Sequence, residues 1–400
     1  MGWAEDRVVI VGGGPVGLVL AAFLARDGIP SVVLERAEVL PQDLRASTFH
    51  PPTLDMLEEI GVTDALLARG LVCPTWQFRD RREGAVATFD LGRLAGETAH
   101  PYRLQCEQWK LSEAVRALLE RDGAADLRLG AEAVAARQDE DGVAVTIRRP
   151  DGTAEEVRGG WLVGADGAGS LVRRAIGATL EGSTIPELFL TMSTPHPFQE
   201  ALPDLANIAY ISDPEEWVVL LRTPTLWRVL VPADPGQPDS EMRDPAEMDR
   251  RIQALCPKDG PYEIAHATAY RVQQRVADRY VGGRAVLVGD AAHLNNPLGG
   301  MGLNGGIHDA VNLAARLAEI RRGADPVRTL ALYERQRRRV ALDVVQEQSI
   351  RNRRMMAERE PERRRAFHDE LRRTAEDAAA HRAFVMRSSM IASLRDAEAA

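Results

Sequence analysis

An α/β fold class, with a doubly wound parallel core, a separate antiparallel sheet and a helical C-terminus, follows from three observations in this 400-residue sequence. The N-terminus reads as strand, glycine turn, helix and strand within about 30 residues. Short alternating segments with proline-rich connections fill the stretch from about Leu180 to Tyr280. From Pro326 onward helix-forming composition dominates, with Pro361 as one expected break. With 27% charged and 45% hydrophobic residues, the chain reads as globular, with length for about two to three domains.

The first expected strand, Arg7 to Val11, is apolar and β-branched and ends in Gly12-Gly13-Gly14-Pro15-Val16-Gly17. A helix from Pro15 to Arg26 follows, closed by Asp27-Gly28, and a second strand, Ser31 to Leu34, stops at Glu35 and Arg36. The glycines differ in what they make possible. Gly12 permits the tight turn, Gly14 leaves room for a pyrophosphate against backbone N–H groups, and Gly17 allows close helix–strand packing. Pro15 and Val16 open the helix whose N-terminus supplies partial positive charge, and Glu35 stands where an adenosine ribose would donate hydrogen bonds. Strand, helix and acid in register point to dinucleotide binding. Arg36 adjoins the same edge.

Further along, helices are expected at about Pro52 to Ile60 and Gln108 to Arg121. Hairpins are expected for Thr75–Arg79 with Val86–Asp90, and for Glu132–Asp139 with Val143–Arg149 around Asp141-Gly142. Trp161–Gly164 and Ala285–Val288 are buried-strand candidates, and Trp217–Leu221 and Trp227–Val231 belong to the antiparallel region, where the first strong helix is Ala246–Leu255. The resulting division is 1–70, 101–180 and 281–325 for a nucleotide-binding domain, 71–100 and 181–280 for a substrate-binding sheet domain, and 326–400 for C-terminal helices.

The net charge of −9 argues against gripping phosphate backbones, so no nucleic-acid partner is expected. The apolar run Leu18–Ala25 is too short to span a membrane, and Glu5 and Asp6 stand where a basic signal region would lie, so neither membrane association nor a targeting segment is expected. Cys73, Cys106 and Cys256 are few and scattered, without metal-site spacing, which suits a metal-free protein of the reducing cytoplasm. From Arg321 to the end there are 19 arginines against 13 acids, read as solvated helical faces with Glu/Arg pairs.

Two further stretches decide between nucleotide cofactors. Gly164-Ala165-Asp166-Gly167-Ala168-Gly169-Ser170 with Arg173, and Gly289-Asp290-Ala291-Ala292-His293 with Pro297-Leu298-Gly299-Gly300-Met301-Gly302-Leu303-Asn304, resemble the second and third signatures of the group A FAD-dependent aromatic monooxygenases, the para-hydroxybenzoate hydroxylase-like superfamily. The resemblance covers most of residues 5 to 340. It implies a Rossmann-like FAD-binding domain beside an antiparallel substrate sheet, FAD as cofactor and NADPH or NADH as co-substrate. It also implies that a flavin C4a-hydroperoxide made from O2 hydroxylates an electron-rich aromatic or heteroaromatic small molecule.

Carried onto this sequence, the resemblance places Asp290 by the ribityl hydroxyls and Leu303 and Asn304 at the opening of a helix that points at the flavin N1–C2 edge. It places Pro297 beside C4a, with Gly300 and Gly302 in the same loop. Arg45 matches the arginine that contacts the pyrophosphate, Gln108 the flavin-contacting glutamine, with Gln105 as the alternative, and Asp166 a residue holding FAD and the nicotinamide cofactor. Arg173 would orient Asp166 or meet a phosphate. His293 reads as a packed residue holding the loop rather than as an acid–base catalyst. Substrate contacts are expected from Tyr210, Trp217, Leu220, Arg222, Trp227 and Pro297, with Arg222 or Arg228 available to a carboxylate.

With only Lys110 and Lys258 as lysines, the related flavin halogenases are disfavoured. A redox-quiet FAD-binding protein that binds or protects a small molecule is the alternative function. The apolar positions Phe367, Leu371, Phe384, Met386, Met390 and Ile391 would cover the back of the pocket or make a dimer contact, so the chain is expected as a monomer or homodimer.

Overall fold

Residues 7–42, 44 and 46–399 are described by a computed structural model. The run Val8–Val11 (β1) is buried at every position, as a strand covered on both faces must be, and so is Ser31–Leu34 (β2). β1 pairs in parallel with β2 and with Trp161–Gly164; Asp126–Arg128 and Ala285–Leu287 extend the parallel array, and Val281–Gly282 closes one edge antiparallel. The helix Pro15–Arg26 (α1) packs against Met301–Arg321 and Gln108–Asp122, which brings segments far apart in sequence into one layer.

The second large sheet has eight strands, in the order His293–Leu294, His266–Ala277, Leu180–Thr194, Trp227–Ala233, Val218–Arg222, Ile208–Ser212, Thr75–Asp80 and Gly84–Asp90. Its ladders are antiparallel except where Ile208–Ser212 meets Thr75–Asp80. Two three-stranded sheets complete the β structure. One joins Glu132–Gln138, Val143–Arg148 and Ala154–Gly159; the other joins Thr48–Phe49, Arg103–Gln105 and Leu71–Cys73.

The C-terminal region is helical, but its breaks differ from expectation. Helix Pro326–Arg339 runs straight into a π-helical stretch, Val340–Gln346, and then Glu347–Met356. Pro361 opens the helix Pro361–Glu376, where its missing N–H costs nothing, and so the interruption precedes it. The surplus arginines are not all solvated. Arg364 pairs with Asp80, Arg372 with Glu83, and Arg382 and Arg395 with Glu97, so the basic tail docks on acids of the β-rich part. Phe384 stacks on Phe89 at 4.3 Å, and Leu371 and Met386 join the same apolar cluster. Among the described residues, no helix is long and apolar enough to cross a membrane.

Candidate active site

The glycine turn is built as its spacing demands. Gly12 has φ +108°, and a Cβ there would lie 2.3 Å from the Ala165 carbonyl oxygen; a Cβ on Gly17 would lie 2.1 Å from the carbonyl oxygen of Gly12. Gly14 differs: nothing stands within 4 Å of its absent Cβ, and it lines a cavity of about 380 Å³. Gly14 caps α1 without any side-chain hydrogen bond, which leaves the first N–H groups of the helix to a ligand. The Glu35 carboxylate accepts from the N–H of Gly13 (2.7 Å) and of Ala37 (2.9 Å), closing the turn from below, while Arg36 is exposed.

A second helix terminus faces the same cavity. The helix Met301–Arg321 starts two residues earlier than expected, because Gly300, at φ +67°, turns the chain into it. No side chain caps it, and Gly300, Gly302 and Leu303 line the cavity with Pro297 and Asp290. Asn304 does not line it. Its side chain accepts from the N–H of His50 (2.9 Å) and donates to the carbonyls of Thr48 (2.9 Å) and Gly300 (2.6 Å), so it stitches the loop to the 46–50 segment.

Pro15, Val16 and Gln108 line the cavity, while Gln105 turns away and holds Thr48 through its amide at 2.9 Å. Arg45 lies outside the described residues. Asp166 has its carboxylate turned to its own helix, accepting from Ser170 Oγ (2.5 Å) and the N–H groups of Leu171 (2.6 Å) and Val172 (3.3 Å); its neighbours Ala165 and Gly167 face the cavity instead. Arg173 donates to the carbonyls of Ala291 (2.9 Å) and Ala168 (2.5 Å), tying the second signature to the third.

Beneath the loop sits a network that the signatures do not announce. Asp309, fully buried, accepts from His293 Nε2 (2.7 Å), the Gly289 N–H (3.0 Å) and Arg337 Nε (2.6 Å). Burial alone would push the carboxyl up, but His293 and Arg337 outweigh it and hold Asp309 at about 2. His293 is thus an anchor of the loop.

Two other histidines are held neutral, chiefly by burial. His308, against Thr53 Oγ1 at 2.9 Å, is lowered to about 3, and Arg337 adds to the effect. His50, whose Nε2 lies 2.9 Å from the Gly299 carbonyl oxygen, is held well below the usual histidine range, with Arg103 adding to it. In the unfolded chain both take a proton near pH 6.5. The unfolded state therefore binds more protons below that pH, and stability falls as pH drops from about 6.5 toward 3, by on the order of a few kcal/mol. Urea unfolding between pH 7.5 and 4 should show this fall, with a flatter dependence in His308→Gln; a level profile would refute it.

On the sheet side, one row crosses four strands. Thr191 pairs with Leu230, Leu230 with Val219, and Val219 with Tyr210, and all four line the cavity. Leu221 and Arg228, paired with each other, line it too. Leu220, expected at the site, points to the opposite face, where it packs with Ala209 and Trp227, because side chains alternate along a strand. Trp217 is buried at the edge of Phe189, 5.1 Å between centroids, and Arg222 lies toward Trp227 and Asn207 Oδ1; neither lines the cavity.

A family model described as FAD binding domain matches residues 5–348. Para-nitrophenol 4-monooxygenase of Pseudomonas sp. strain WBC-3 is 33% identical over 384 residues, which span 95% of this chain and 94% of the relative. The chain belongs to the group A FAD-dependent aromatic monooxygenases. This monooxygenase is also 34% identical over 360 residues to 6-hydroxy-3-succinoylpyridine 3-monooxygenase of Pseudomonas putida strain S16, covering 89% of this chain and 90% of that one. The crystal structure of p-nitrophenol 4-monooxygenase from Pseudomonas putida DLL-E4 superposes with a TM-score of 0.91 at 31% identity, over 97% of this chain and 98% of that chain. FAD is therefore the cofactor of the monooxygenase. The residues fit it: an open glycine at one helix terminus, an uncapped second terminus, and a carboxylate at Asp290 all face one cavity.

Proposed function

We propose that this monooxygenase hydroxylates an electron-rich aromatic or heteroaromatic small molecule, using NADPH or NADH and O2. The observation that carries the reading is the continuity of one cavity from Gly14 and Asp290, at the nucleotide end, to Pro297 and the Tyr210–Val219–Leu230 row of the sheet. Bound FAD would supply the redox chemistry that passes electrons from the nicotinamide co-substrate to O2 and makes one of its oxygens electrophilic. The remaining work falls to the chain. Gly14 and the N–H groups at the start of α1 receive the pyrophosphate, with Gly12 and Gly17 fixing the turn and Glu35 and Arg36 bordering the adenosine end. Asp166 shapes the turn that carries Ala165 and Gly167 to the cavity.

At the reacting end, Asp290 and Gln108 line the cavity where they would hold the ring system, and the uncapped N-terminus at Met301–Leu303 would favour negative charge on it. Val219, Leu221, Leu230 and Pro297 exclude the water that would otherwise consume the activated oxygen unproductively. Arg228 lines the same cavity and would face a substrate there.

The test is an absorbance spectrum of the purified protein before and after anaerobic NADPH, repeated with a panel of phenols, aminoarenes and hydroxypyridines. Flavin bands near about 370 and 450 nm should bleach faster with one class of compound, and air should then give oxygenated product. Bands that no compound causes to bleach would sink the reading. A paired substitution locates the chamber. Leu221→Trp, filling it, should abolish the stimulation of NADPH oxidation by substrate. Leu220→Val, on the other face, should cost about 1 kcal/mol of stability and leave that stimulation intact.

A further inference from the structure

Beside the first cavity lies a second of about 220 Å³, between the sheet and the C-terminal helices and partly open to solvent. Tyr210 belongs to the walls of both, and the row Thr191–Leu230–Val219–Tyr210 continues onto Phe78 of the next strand, which lines the second cavity. The turn after Pro297 divides the two spaces: Leu298 and Gly300 face the first, Gly299 the second. Trp76 and Phe384 complete the aromatic lining, and the π-helical stretch Val340–Gln346 contributes Asp343 and Val344 opposite.

The unusual residue here is Arg103, which lines this cavity and is only 2% exposed. Burying a guanidinium is costly unless a carboxylate or a full set of acceptors compensates. Elsewhere in this chain that rule holds: Arg337 has Asp309, Arg251 has Glu216 and Glu247, and Arg79 and Arg173 reach backbone carbonyls. Arg103 donates from Nη2 to the Ser388 carbonyl at 3.2 Å and has the Tyr210 hydroxyl as a second side-chain partner, while its Nε and Nη1 have no hydrogen-bond partner. Around it stand the Trp76 ring at 4.9 Å, the Tyr210 hydroxyl, the Cys73 thiol, pushed by burial up to about 12, and His50, held neutral. The carboxylates of the lining, Asp343, Glu347 and Asp396, are exposed at its rim, and none is bonded to Arg103. An aromatic-walled space thus holds a buried cation with two unused donors and, among the described residues, no carboxylate bonded to it.

We propose that this second cavity is an annex of the substrate site, which takes the anionic arm of an aromatic acid, with the Arg103 guanidinium as its charge partner. The ring to be hydroxylated stays beside Pro297 while the arm, a carboxylate, passes Tyr210 along the sheet row. Guanidinium chemistry suits an anion of this kind, because Nε and Nη1 can each give a charge-assisted hydrogen bond to a carboxylate oxygen. The proposal rests on reading the first cavity as the hydroxylation chamber.

Its test is binding, which requires no turnover. FAD-loaded protein is titrated calorimetrically with 4-hydroxybenzoate, 4-hydroxyphenylacetate and 3-(4-hydroxyphenyl)propionate, each against its carboxamide, in wild type, Arg103→Met and Arg103→Lys. At least one acid should bind wild type tenfold or more tighter than its amide. That preference should vanish in Arg103→Met and survive in part in Arg103→Lys. Removing an uncompensated buried charge should leave the melting temperature of Arg103→Met unchanged or raised. If Arg103→Met does not fold, Arg103→Gln takes its place in the same comparison. No acid preference in wild type, or a preference that survives loss of the guanidinium, overturns the annex. A lowered melting temperature restored by Arg103→Lys, with acids and amides bound alike throughout, overturns it in favour of a structural arginine. Acid binding through Arg103 in a protein whose flavin NADPH never bleaches would leave the annex standing and remove the hydroxylation reading. Bleaching stimulated equally by acids and amides would do the reverse.

Discussion

Gly14→Val is expected to give a folded protein that has lost its FAD. The backbone there is extended, with φ −70° and ψ 176°, so a valine is conformationally acceptable, and nothing in the chain stands within 4 Å of the new Cβ. What the side chain enters is the cavity itself, where the pyrophosphate must approach the N–H groups at the start of α1. The affinity for FAD should fall at least about 100-fold, or nearly 3 kcal/mol, while the unfolding free energy of the apoprotein should change by no more than about 1 kcal/mol. Gly17→Val is its counterpart: a Cβ 2.1 Å from the Gly12 carbonyl oxygen cannot be accommodated without moving backbone, so that variant should lose the fold. The ratio of flavin to protein absorbance after desalting, together with apoprotein melting curves, separates the two cases. Stoichiometric FAD in Gly14→Val would show that the cofactor does not run along this turn.

Asp309→Asn should be the most destabilising polar substitution in the nucleotide half. The carboxylate is the only acid bonded to Arg337 among the described residues, and it also accepts from His293 and from the Gly289 N–H. Breaking a buried ion pair from one side costs on the order of 3–5 kcal/mol, because the partner charge stays buried. Removing both ends, as in Asp309→Leu with Arg337→Met, should recover much of that loss, which a double-mutant cycle in urea would measure. Since the pair holds Asp309 at about 2, below its unfolded value, its stabilisation is complete above about pH 4 and is lost as pH falls through 2. A single variant as stable as wild type would show that the network does not hold the loop.

The nucleotide half is the more legible in sequence, for a physical reason. Glycines at Gly12, Gly14 and Gly17 are demanded by backbone approach, so their spacing carries geometry directly, and β1, α1 and β2 lie where that spacing puts them. The substrate side is governed by alternation along strands, where a reading displaced by one residue reverses inside and outside. Leu220 is expected at the site, whereas Val219 and Leu221 are the residues that line the cavity; Trp217 is expected there as an aromatic on a candidate strand, yet it fills the core. Arg103 gives no local signal at all. Its importance comes from what the fold fails to place beside it, and residues distant in sequence, Trp76, Tyr210 and Ser388, define that environment. Asp309 is similar, being one acid on a helix until His293, Gly289 and Arg337 converge on it.

The wall that closes the Arg103 cavity is made of Phe384, Ser388 and Ser393, near the carboxyl end, whereas α1 and its glycine turn are made first. During synthesis at roughly 5–20 residues per second, the ribosome delivers the two ends of the FAD cradle far apart in time, with Met301 following Gly14 by nearly 300 residues. The nucleotide core can therefore be complete while the last helices are still inside the exit tunnel, and the substrate side waits for them. Arginines at 364, 372, 382 and 395 then meet Asp80, at the end of a strand, and Glu83 and Glu97, in turns. Opposite charges thus guide these helices onto the β-rich part, acting over a longer range than the apolar contacts they go on to make.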